Sequence, residues 1–419
     1  MVSTWAYDGR IPGVPIRVSA GEQVKAVLAN RLAADTSIHW HGVALRNDAD
    51  GVPHVTQDPI AAGASFTYRF TAASPGTYWF HPHTGVQLDR GLYAPLIVTD
   101  PREPLKYDHE WIVVLDDWLD GTGTTPEDTF AELTKGMGGM MGGHMMGGAS
   151  SVLLGGDAGD VVYPHYLLNG RLPTDPDVLT AKAGDRVRIR FINAGGDTAF
   201  RVALGGHAMT VTHTDGYPVA PIDTDALLIG MGERYDVLVR PGDGVFPLVA
   251  LAEGKNATAL GLIRTGGGAT PPASVRPPEL ERRIVAYRQL RAAEAVKLAA
   301  RQPDTTLRLK LTGGMMAYDW RFDGRTFDHA RVDHSVRSGQ RVRIEFANTT
   351  TMWHPVHLHG HTFATGESTG PRKDTAIVLP GQTLPVEFDA DNPGLWMVHC
   401  HNIYHAEAGM MALLGYQIS

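Results

Sequence analysis

The chain has 419 residues, a formal net charge of −8 and 43% hydrophobic residues. This balance is ordinary for a globular protein and gives no sign of nucleic-acid binding. No apolar run approaches the roughly 18 residues of a membrane span, and the length predicts about three domains. Cys400 is the only cysteine, which excludes an internal disulfide and leaves the redox compartment undecided.

Short apolar runs between turn residues recur along the chain, which contains 48 Gly and 27 Pro. The clearest run is residues 186–191 (RVRIRF), where arginines alternate with apolar side chains. Alternation with a period of two predicts a β-strand with one apolar face. Many short strands separated by such turns predict an all-β fold built of sandwiches or barrels.

Two His-X-His pairs lie near the start, in residues 39–42 (HWHG) and 81–83 (HPH). Residues i and i+2 of a strand point to the same face, so each pair can present two imidazoles to one metal centre. A single isolated pair is at least as often an ordinary surface or core pair. The number and the register of such pairs along the chain therefore decide whether they indicate a metal site.

A methionine-rich segment, residues 136–148, follows the first two pairs. Thioethers suit Cu(I), so one interpretation is a loop that delivers cuprous ions or shields an opening. A glycine-rich insertion of low complexity without a specific role is an equally good interpretation. The residues concerned are Met137, Met140, Met141, His144, Met145 and Met146.

The middle of the chain repeats the strand pattern without a histidine pair. Residues 184–193 (GDRVRIRFIN) resemble residues 339–348 (GQRVRIEFAN), and both resemble residues 21–30. We therefore expect a middle unit that keeps the fold and carries no metal ligand. Residues 264–278 have the composition of a surface linker, and residues 279–300, rich in Ala, Arg, Glu and Leu, predict a packing helix.

The last part of the chain contains two more histidine clusters, residues 354–361 (HPVHLHGH) and residues 399–410 (HCHNIYHAEAGM). Their pairs repeat the first two at a constant spacing, since 318 residues separate His39 from His357 and also His83 from His401. Self-similarity of this length indicates duplicated domains.

One ligand set occurs only in the last copy. His354, Cys400, His405 and Met410 combine a thiolate, two imidazoles and a thioether, which is the ligand set of a blue-copper site. Zinc is the competing metal, but structural zinc prefers four closed Cys and His ligands. The corresponding positions of the first copy hold no such ligands: Thr36, Pro82, Gln87 and Leu92.

The four histidine motifs resemble the signature motifs of three-domain multicopper oxidases, the laccase-like family, and the resemblance covers the chain from Trp5 to its end. It implies three cupredoxin-like Greek-key β-sandwich or barrel domains. Their expected limits are residues 1–104, residues 105–268 for a metal-free middle domain, and residues 269–419.

The resemblance also implies four copper ions. One type 1 copper would take the ligand set around Cys400, and one type 2 copper would take His39 and His357. The two type 3 coppers would take the remaining members of the four pairs, which are His41, His81, His83, His359, His399 and His401.

The implied reaction couples four one-electron oxidations at the type 1 copper to reduction of O₂ to two waters at the other three coppers, the trinuclear cluster. Asp50 is similar in position to a carboxylate that many relatives use as proton donor, although an aspartate before Gly51 is also typical of a turn. Several relatives have a carboxylate directly after the histidine that corresponds to His405. Here Ala406 stands there, so Glu407 is the weaker candidate for a second proton relay.

The leading hypothesis is a laccase-like oxidase of phenols or aromatic amines. The alternative is a cuprous oxidase for copper tolerance that uses residues 136–148. A copper-binding electron carrier would need a broken trinuclear cluster, whereas all eight histidines are present, and a copper nitrite reductase has no type 3 pair.

The expected partners are a small-molecule reductant and O₂, without nucleic acid or a membrane span, and the oligomeric state stays open. We expect a location outside the cytoplasm. An apolar alternating run precedes the middle and last copies but not Trp5, so we also expect a natural precursor that is longer than this chain.

Overall fold

The structure is a computed structural model that describes residues 3–136 and 149–417. Strands dominate these ranges and helices are few and short, so the all-β fold predicted from the alternating runs is confirmed. The methionines singled out between residues 137 and 148 lie outside the described residues. Within the described ranges, no helix has both the length and the apolar character that crossing a bilayer requires.

The first unit consists of two sheets. Its strands are β1 (Ile16–Ser19), β2 (Gln23–Ala29), β3 (His39–His41), β4 (Ser65–Thr71), β5 (Gly76–His81) and β6 (Ala94–Thr99). One sheet has the order β1-β6-β5-β3, and β2 pairs with β4 in the other. Two 3-10 turns follow the histidine strands, at Asn47–Ala49 and Gln87–Arg90.

The middle unit is a sandwich of a six-stranded and a five-stranded sheet. Its described elements are β7 (His109–Trp118), α1 (Pro126–Leu133), β8 (Ser150–Ser151), β9 (Gly156–Asp157), β10 (His165–Leu168), β11 (Asp177–Thr180), β12 (Val187–Asn193), β13 (Phe200–Leu204), β14 (Met209–Thr214), β15 (Tyr217–Thr224), β16 (Leu227–Ile229), β17 (Arg234–Val239), β18 (Val245–Ala252) and β19 (Ala257–Arg264). The sheet orders are β10-β7-β12-β17-β14-β15 and β11-β19-β18-β13-β16. A 3-10 turn lies at Val152–Leu154.

The last unit repeats this sandwich. Its elements are β20 (Thr305–Thr312), β21 (Arg321–Phe322), β22 (His334–Val336), β23 (Arg341–Asn348), β24 (His354–Leu358), β25 (Phe363–Thr365), β26 (Arg372–Lys373), β27 (Thr375–Val378), β28 (Thr383–Asp389), β29 (Leu395–Cys400), α2 (Ile403–Glu407) and β30 (Met411–Tyr416). The sheet orders are β21-β20-β23-β28-β25-β26 and β22-β30-β29-β24-β27.

The strands that carry histidines pair with matching registers in the first and last units. β3 and β5 are antiparallel with His39 opposite His81, and β24 and β29 are antiparallel with His357 opposite His399. Because side chains alternate along a strand, Cys400 points to the opposite side from the imidazole that precedes it.

The alternating strand β12 is buried on both faces. Its apolar residues enter the main core. Arg188 and Arg190, on the expected polar face, are only 1% and 2% exposed, because both donate to Asp236 and Arg190 also donates to Thr77 of the first unit. The arginine face is therefore a contact between two units.

The prediction of a helix over residues 279–300 is wrong. The segment contains only short 3-10 turns and is otherwise extended. It runs along the middle unit, where the backbone N–H groups of Ala220 and Asp225 donate to its carbonyls, and where its residues Leu280 and Leu290 are buried. Pairing and burial along this edge outweigh the helix propensity of its composition. The turns lie at Pro278–Glu281, Tyr287–Gln289 and Glu294–Val296.

Candidate metal centres

One thiol and two imidazoles form a small triangle in the last unit. His354 Nδ1 and His405 Nδ1 lie 3.1 Å apart. Cys400 Sγ lies 3.6 Å from the Nδ1 atom of His354 and 3.8 Å from that of His405. All three residues are fully buried. A trigonal set of one thiolate and two imidazoles of this size fits a single blue-copper ion.

Local structure brings these ligand candidates together. His354 begins β24, Cys400 ends β29, and His405 lies on α2, which Asn402 caps with its side-chain oxygen. The backbone N–H of Cys400 donates to the carbonyl of Met410 (3.0 Å), so the buried thioether lies beside the thiol segment. A weak axial thioether is typical of blue-copper sites.

The outer nitrogens of the two imidazoles are held by hydrogen bonds. His354 Nε2 bonds with Thr350 Oγ1 (2.8 Å). His405 Nε2 donates to Asp160 Oδ2 (2.9 Å), which also accepts from the Tyr318 hydroxyl (2.7 Å). Such contacts fix the ring orientations and leave both Nδ1 atoms facing the triangle. No motif or spacing pointed to Asp160, because it belongs to the middle unit and lies far from His405 in the chain.

The protonation of His405 depends on these neighbours. Burial would lower the pKa of His405, but Asp160 and Cys400 outweigh it and raise the pKa to about 10. Burial and the nearby His405 lower the pKa of His354 well below its usual value. A proton and a metal ion therefore compete for His405 Nδ1, and metal binding there would release a proton.

Eight imidazoles meet between the first and last units, four from each. Seven are buried and His83 is half-buried. His39 stacks on His359, and His41 stacks on His357, with ring centroids 3.8 Å apart in both cases. The structure thus brings together all the members of the four pairs: His39, His41, His81, His83, His357, His359, His399 and His401.

Several imidazole nitrogens in this cluster are buried without a hydrogen-bond partner. They are His39 Nε2, His41 Nδ1, His81 Nε2, His357 Nε2 and both ring nitrogens of His401. A buried polar atom without a partner is costly and needs an explanation. Imidazole is a good ligand for copper, so the donor set fits a group of copper ions.

The cluster histidines are held in the neutral form that binds metals. Burial, reinforced by the charge that neighbouring imidazoles would carry, lowers their pKa well below the usual value. A neutral imidazole keeps a lone pair free for a metal. This shift affects His41, His81, His83, His359, His399 and His401.

Asp50 contacts histidines of both end units. Its Oδ2 accepts from His359 Nδ1 (3.0 Å), and its Oδ1 lies 3.2 Å from His39 Nδ1. Asp50 is 1% exposed. Gly51 follows with a φ of +80°, and a Cβ there would lie 1.7 Å from the carbonyl oxygen of Ile38. The turn before Gly51 therefore also places the carboxylate against the cluster.

Sequence reasoning missed Asp374. Its Oδ1 accepts from His41 Nε2 (3.0 Å), and its carbonyl accepts from His357 Nδ1 (2.9 Å). Burial would raise the pKa of Asp374, but Arg234 of the middle unit bonds both its oxygens and holds the pKa well below its usual value. The available signal was the charged pair Lys373-Asp374 directly before the apolar strand β27, because charges at buried positions are normally paired.

Glu407 and the histidine cluster line the same small cavity. Its wall includes His83, His399, Cys400 and Glu407. Burial raises the pKa of Glu407 to about 7. A carboxyl group with such a pKa can give or take a proton near neutral pH.

Comparison with known proteins gives consistent family matches. Family models described as multicopper oxidase match residues 1–103, 109–268 and 300–417. The domain limits expected at residues 104 and 268 stay a prediction.

Two curated relatives align over nearly the whole chain. The chain is 52% identical to the protein named Multicopper oxidase MmcO of Mycobacterium tuberculosis, over 99% of this chain and 84% of the relative. It is 29% identical to a Copper resistance protein A homolog of Pseudomonas syringae pv. tomato, over 96% of this chain and 87% of the relative.

Among solved structures, a laccase from Botrytis aclada superimposes with a TM-score of 0.77 and 26% identity. The superposition covers 98% of this chain and 83% of the laccase. The cupredoxin-like β-architecture expected for the units is thus confirmed.

Proposed function

Since the chain belongs to the multicopper oxidase family, we propose that it couples four one-electron oxidations of a small reductant to the reduction of O₂ to two waters. One observation carries the proposal. At the end of strand β29, the Cys400 thiol enters the three-atom triangle, while the imidazoles of His399 and His401 on either side of it enter the eight-histidine cluster.

The family resemblance implies how these donor sets would hold four copper ions. His354, Cys400, His405 and the weaker ligand Met410 would hold the type 1 copper. His39 and His357 would hold the type 2 copper. The type 3 pair would be held by His41, His81, His83, His359, His399 and His401.

Bound copper supplies one-electron redox chemistry, and four ions match the four electrons that O₂ needs. The chain supplies a short covalent path, because Cys400 belongs to the triangle and its two neighbours belong to the cluster. His399, Cys400 and His401 are all buried, which keeps water away from this path.

Reduction of one O₂ to two waters also consumes four protons. Asp50 is the first candidate proton carrier, and its contacts with one histidine from each end unit support this role. Glu407 is the second candidate, because it borders the cavity at the cluster and its pKa is raised to about 7.

We propose phenols and aromatic amines as the leading class of reductant. His405 has no exposed surface. Asp160 bonds its outer nitrogen and accepts from the Tyr318 hydroxyl, and these two residues are 2% and 3% exposed. A reductant would therefore dock outside these two residues and pass its electron across them without touching His405.

Cuprous ion is a second candidate reductant, favoured by one contact. Gly136, the first residue of the methionine-rich segment, packs on the backbone of Met316 and Ala317, directly before Tyr318. Met316 is 72% exposed, and its thioether suits Cu(I). Gly136, the last described residue before the methionines of this segment, thus lies beside Tyr318, which donates to the Asp160 carboxylate that bonds His405.

The core proposal is tested on copper-reconstituted protein by metal analysis, absorption spectroscopy and an oxygen electrode. We expect about four coppers per chain, an intense blue band, and four reductant molecules oxidised for each O₂ consumed. A colourless preparation, or O₂ reduced only to hydrogen peroxide with two reductants consumed, would contradict it.

The two reductants are separated by replacing residues 137–148 with a Gly-Ser linker of equal length. If Cu(I) turnover collapses while phenol turnover persists or rises, Cu(I) is the substrate of this site. If both are unchanged, the laccase-like hypothesis stands and the segment has no role in it. Met316→Leu is the point variant that tests the exposed thioether beside Gly136 alone.

A further inference from the structure

Two carboxylates link the histidines of the end units in a matching way. Asp50 contacts the stacked pair His39 and His359. The Asp374 carboxylate contacts the other stacked pair, because its Oδ1 accepts from His41 Nε2 and lies 3.4 Å from His357 Nδ1. Each carboxylate thus joins one imidazole of the first unit to one of the last unit, although 318-residue spacing does not relate the two aspartates to each other.

Asp374 and its neighbour Thr375 bond the two imidazoles at defined atoms. His41 Nε2 donates to Asp374 Oδ1 (3.0 Å) and lies 3.1 Å from Thr375 Oγ1. His357 Nδ1 donates to the Asp374 carbonyl (2.9 Å) and lies 3.1 Å from the same hydroxyl. The hydroxyl of Thr375 itself donates to Asp374 Oδ1 (2.9 Å).

The middle unit holds this carboxylate. Arg234 Nη1 donates to Asp374 Oδ1 (2.7 Å), and Arg234 Nη2 donates to Asp374 Oδ2 (2.5 Å). The same guanidinium donates to the carbonyls of Thr77 and Gly232. Asp215 of the middle unit accepts from the backbone N–H of Asp374. A bidentate pair of this kind fixes the carboxylate in position as well as in charge.

The space around the ion pair is filled. A Cβ at Gly42 would lie 2.3 Å from Arg234 Nη2 and 2.5 Å from Asp374 Oδ2. A Cβ at Gly232 would lie 2.8 Å from the ring of His401. The absence of a side chain at Gly42 and at Gly232 therefore lets the middle unit approach the histidine cluster.

His41 differs from its neighbours in which ring nitrogen bonds an oxygen and which one stays free to face the cluster. His39, His357 and His359 use Nδ1 for an oxygen acceptor, as do His81 and His399 with backbone carbonyls. In His41 it is Nε2 that meets the carboxylate, and the buried atom without a partner is Nδ1. The hydrogen bond to one nitrogen decides which nitrogen can bind a metal.

We propose that Asp374, locked by Arg234 of the middle unit, is a positioning residue that keeps the His41 proton on Nε2 and so directs His41 Nδ1 and His357 Nε2 to the trinuclear cluster. The inference rests on the proposed function, because it concerns ligands of that cluster. It gives the middle unit a direct part in building the metal centre, beyond that of a spacer.

The test uses Asp374→Asn, Arg234→Lys and Thr375→Val in the full chain loaded with copper. An asparagine replaces one carboxylate oxygen with an NH₂ group, which cannot accept from Arg234 or His41, and it removes the negative charge that pairs with Arg234. Lysine keeps the charge but loses the two-bonded geometry. Valine keeps the shape of Thr375 without its hydroxyl, and it is the variant least disruptive to folding.

The readouts are copper per chain, the blue absorption band, the type 2 electron paramagnetic resonance signal and the near-ultraviolet type 3 band. We expect Asp374→Asn to weaken binding of the three cluster coppers about 10–100-fold, as is usual when a partner of a ligating histidine is removed. The blue type 1 band should be unchanged. Arg234→Lys should have a smaller effect in the same direction, and Thr375→Val the smallest.

Asp236→Asn is the matched control, because Asp236 is an equally buried partner of arginines in β12 but does not contact the histidine cluster. If Asp374→Asn binds cluster copper with wild-type affinity and spectra, or if Asp236→Asn lowers it as much, the positioning role is refuted. Loss of the type 1 band along with the cluster would refute it too. Wild-type protein that holds only type 1 copper would instead refute the proposed function itself.

Discussion

The first and last units share one pair of histidine-bearing strands, β3 and β5 in the first and β24 and β29 in the last. The side chains on the face of this pair that points away from the histidine cluster differ between the two units. In the last unit, His354 and His405 face each other at 3.1 Å beside Cys400 and Met410. At the equivalent place of the first unit, Thr36 Oγ1 donates to Gln87 Oε1 at 2.7 Å, beside the buried Pro82 and Leu92.

The comparison teaches that the residues on one face of a His-X-His strand can change while those on the other face stay the same. The inward side keeps two imidazoles in both units because both contribute to one shared cluster. The outward side is free to be a metal site in one unit and a neutral hydrogen-bonded pair in the other, since alternate side chains of a strand face different surroundings.

The largest effect should come from making the last unit resemble the first at its central position. Cys400→Ser removes the thiolate that would bind copper and begin the electron path. We expect the blue band to vanish and turnover to fall by several orders of magnitude, while the cluster keeps its copper. Absorption and metal analysis test this, and a variant that stays blue would contradict the assignment of Cys400.

The two proposed proton carriers come one from each end unit. Asp50→Asn should lower turnover about 10–100-fold, because it removes a carboxylate that bonds His39 and His359. Single-turnover reoxidation of the fully reduced enzyme by O₂ isolates this step. Reoxidation at the wild-type rate would exclude Asp50 as a proton donor.

Glu407 should matter less, and in a pH-dependent way. With a pKa of about 7, its carboxyl is protonated below pH 7 and loses its proton as the pH rises through that value. If Glu407 donates protons, turnover falls above about pH 7, and Glu407→Gln should remove this limb and lower turnover several-fold at pH 6. A pH profile that keeps the limb in the variant assigns it to another group.

The hydrogen-bonded pair of the first unit can be broken without touching any proposed ligand. Thr36→Val should cost about 1–3 kcal/mol of unfolding free energy, because it leaves the buried Gln87 Oε1 without its donor. Thr36→Ser keeps the hydroxyl and is the control. Equal denaturant midpoints for the valine and serine variants would show that this bond does not stabilise the unit.

The smallest change tests the axial position. Met410→Leu makes the last unit resemble the first, which has Leu92 at this place. Loss of the weak thioether ligand should raise the type 1 potential by tens of millivolts while the blue colour persists. A redox titration measures the shift, and an unchanged or lower potential would count against Met410 as a ligand.

Much of the molecule was predictable because its signals are local. Strand alternation indicated the all-β class, and the i, i+2 geometry of a strand was enough to infer that each histidine pair shares a face. The constant spacing between the first and last copies predicted two related halves of one cluster. The helix over residues 279–300 failed because composition was its only support, and edge pairing with the middle unit decided the conformation there.

The sequence by itself determined which residues are ligand candidates, since imidazole pairs, a lone thiol and a thioether keep their chemistry in any fold. Only the tertiary structure decided what orients them. Asp160 reaches His405 and Arg234 reaches Asp374 from more than a hundred residues away. Contacts of this kind arise when separately folded units dock, and neither strand periodicity nor motif spacing carries information about that docking.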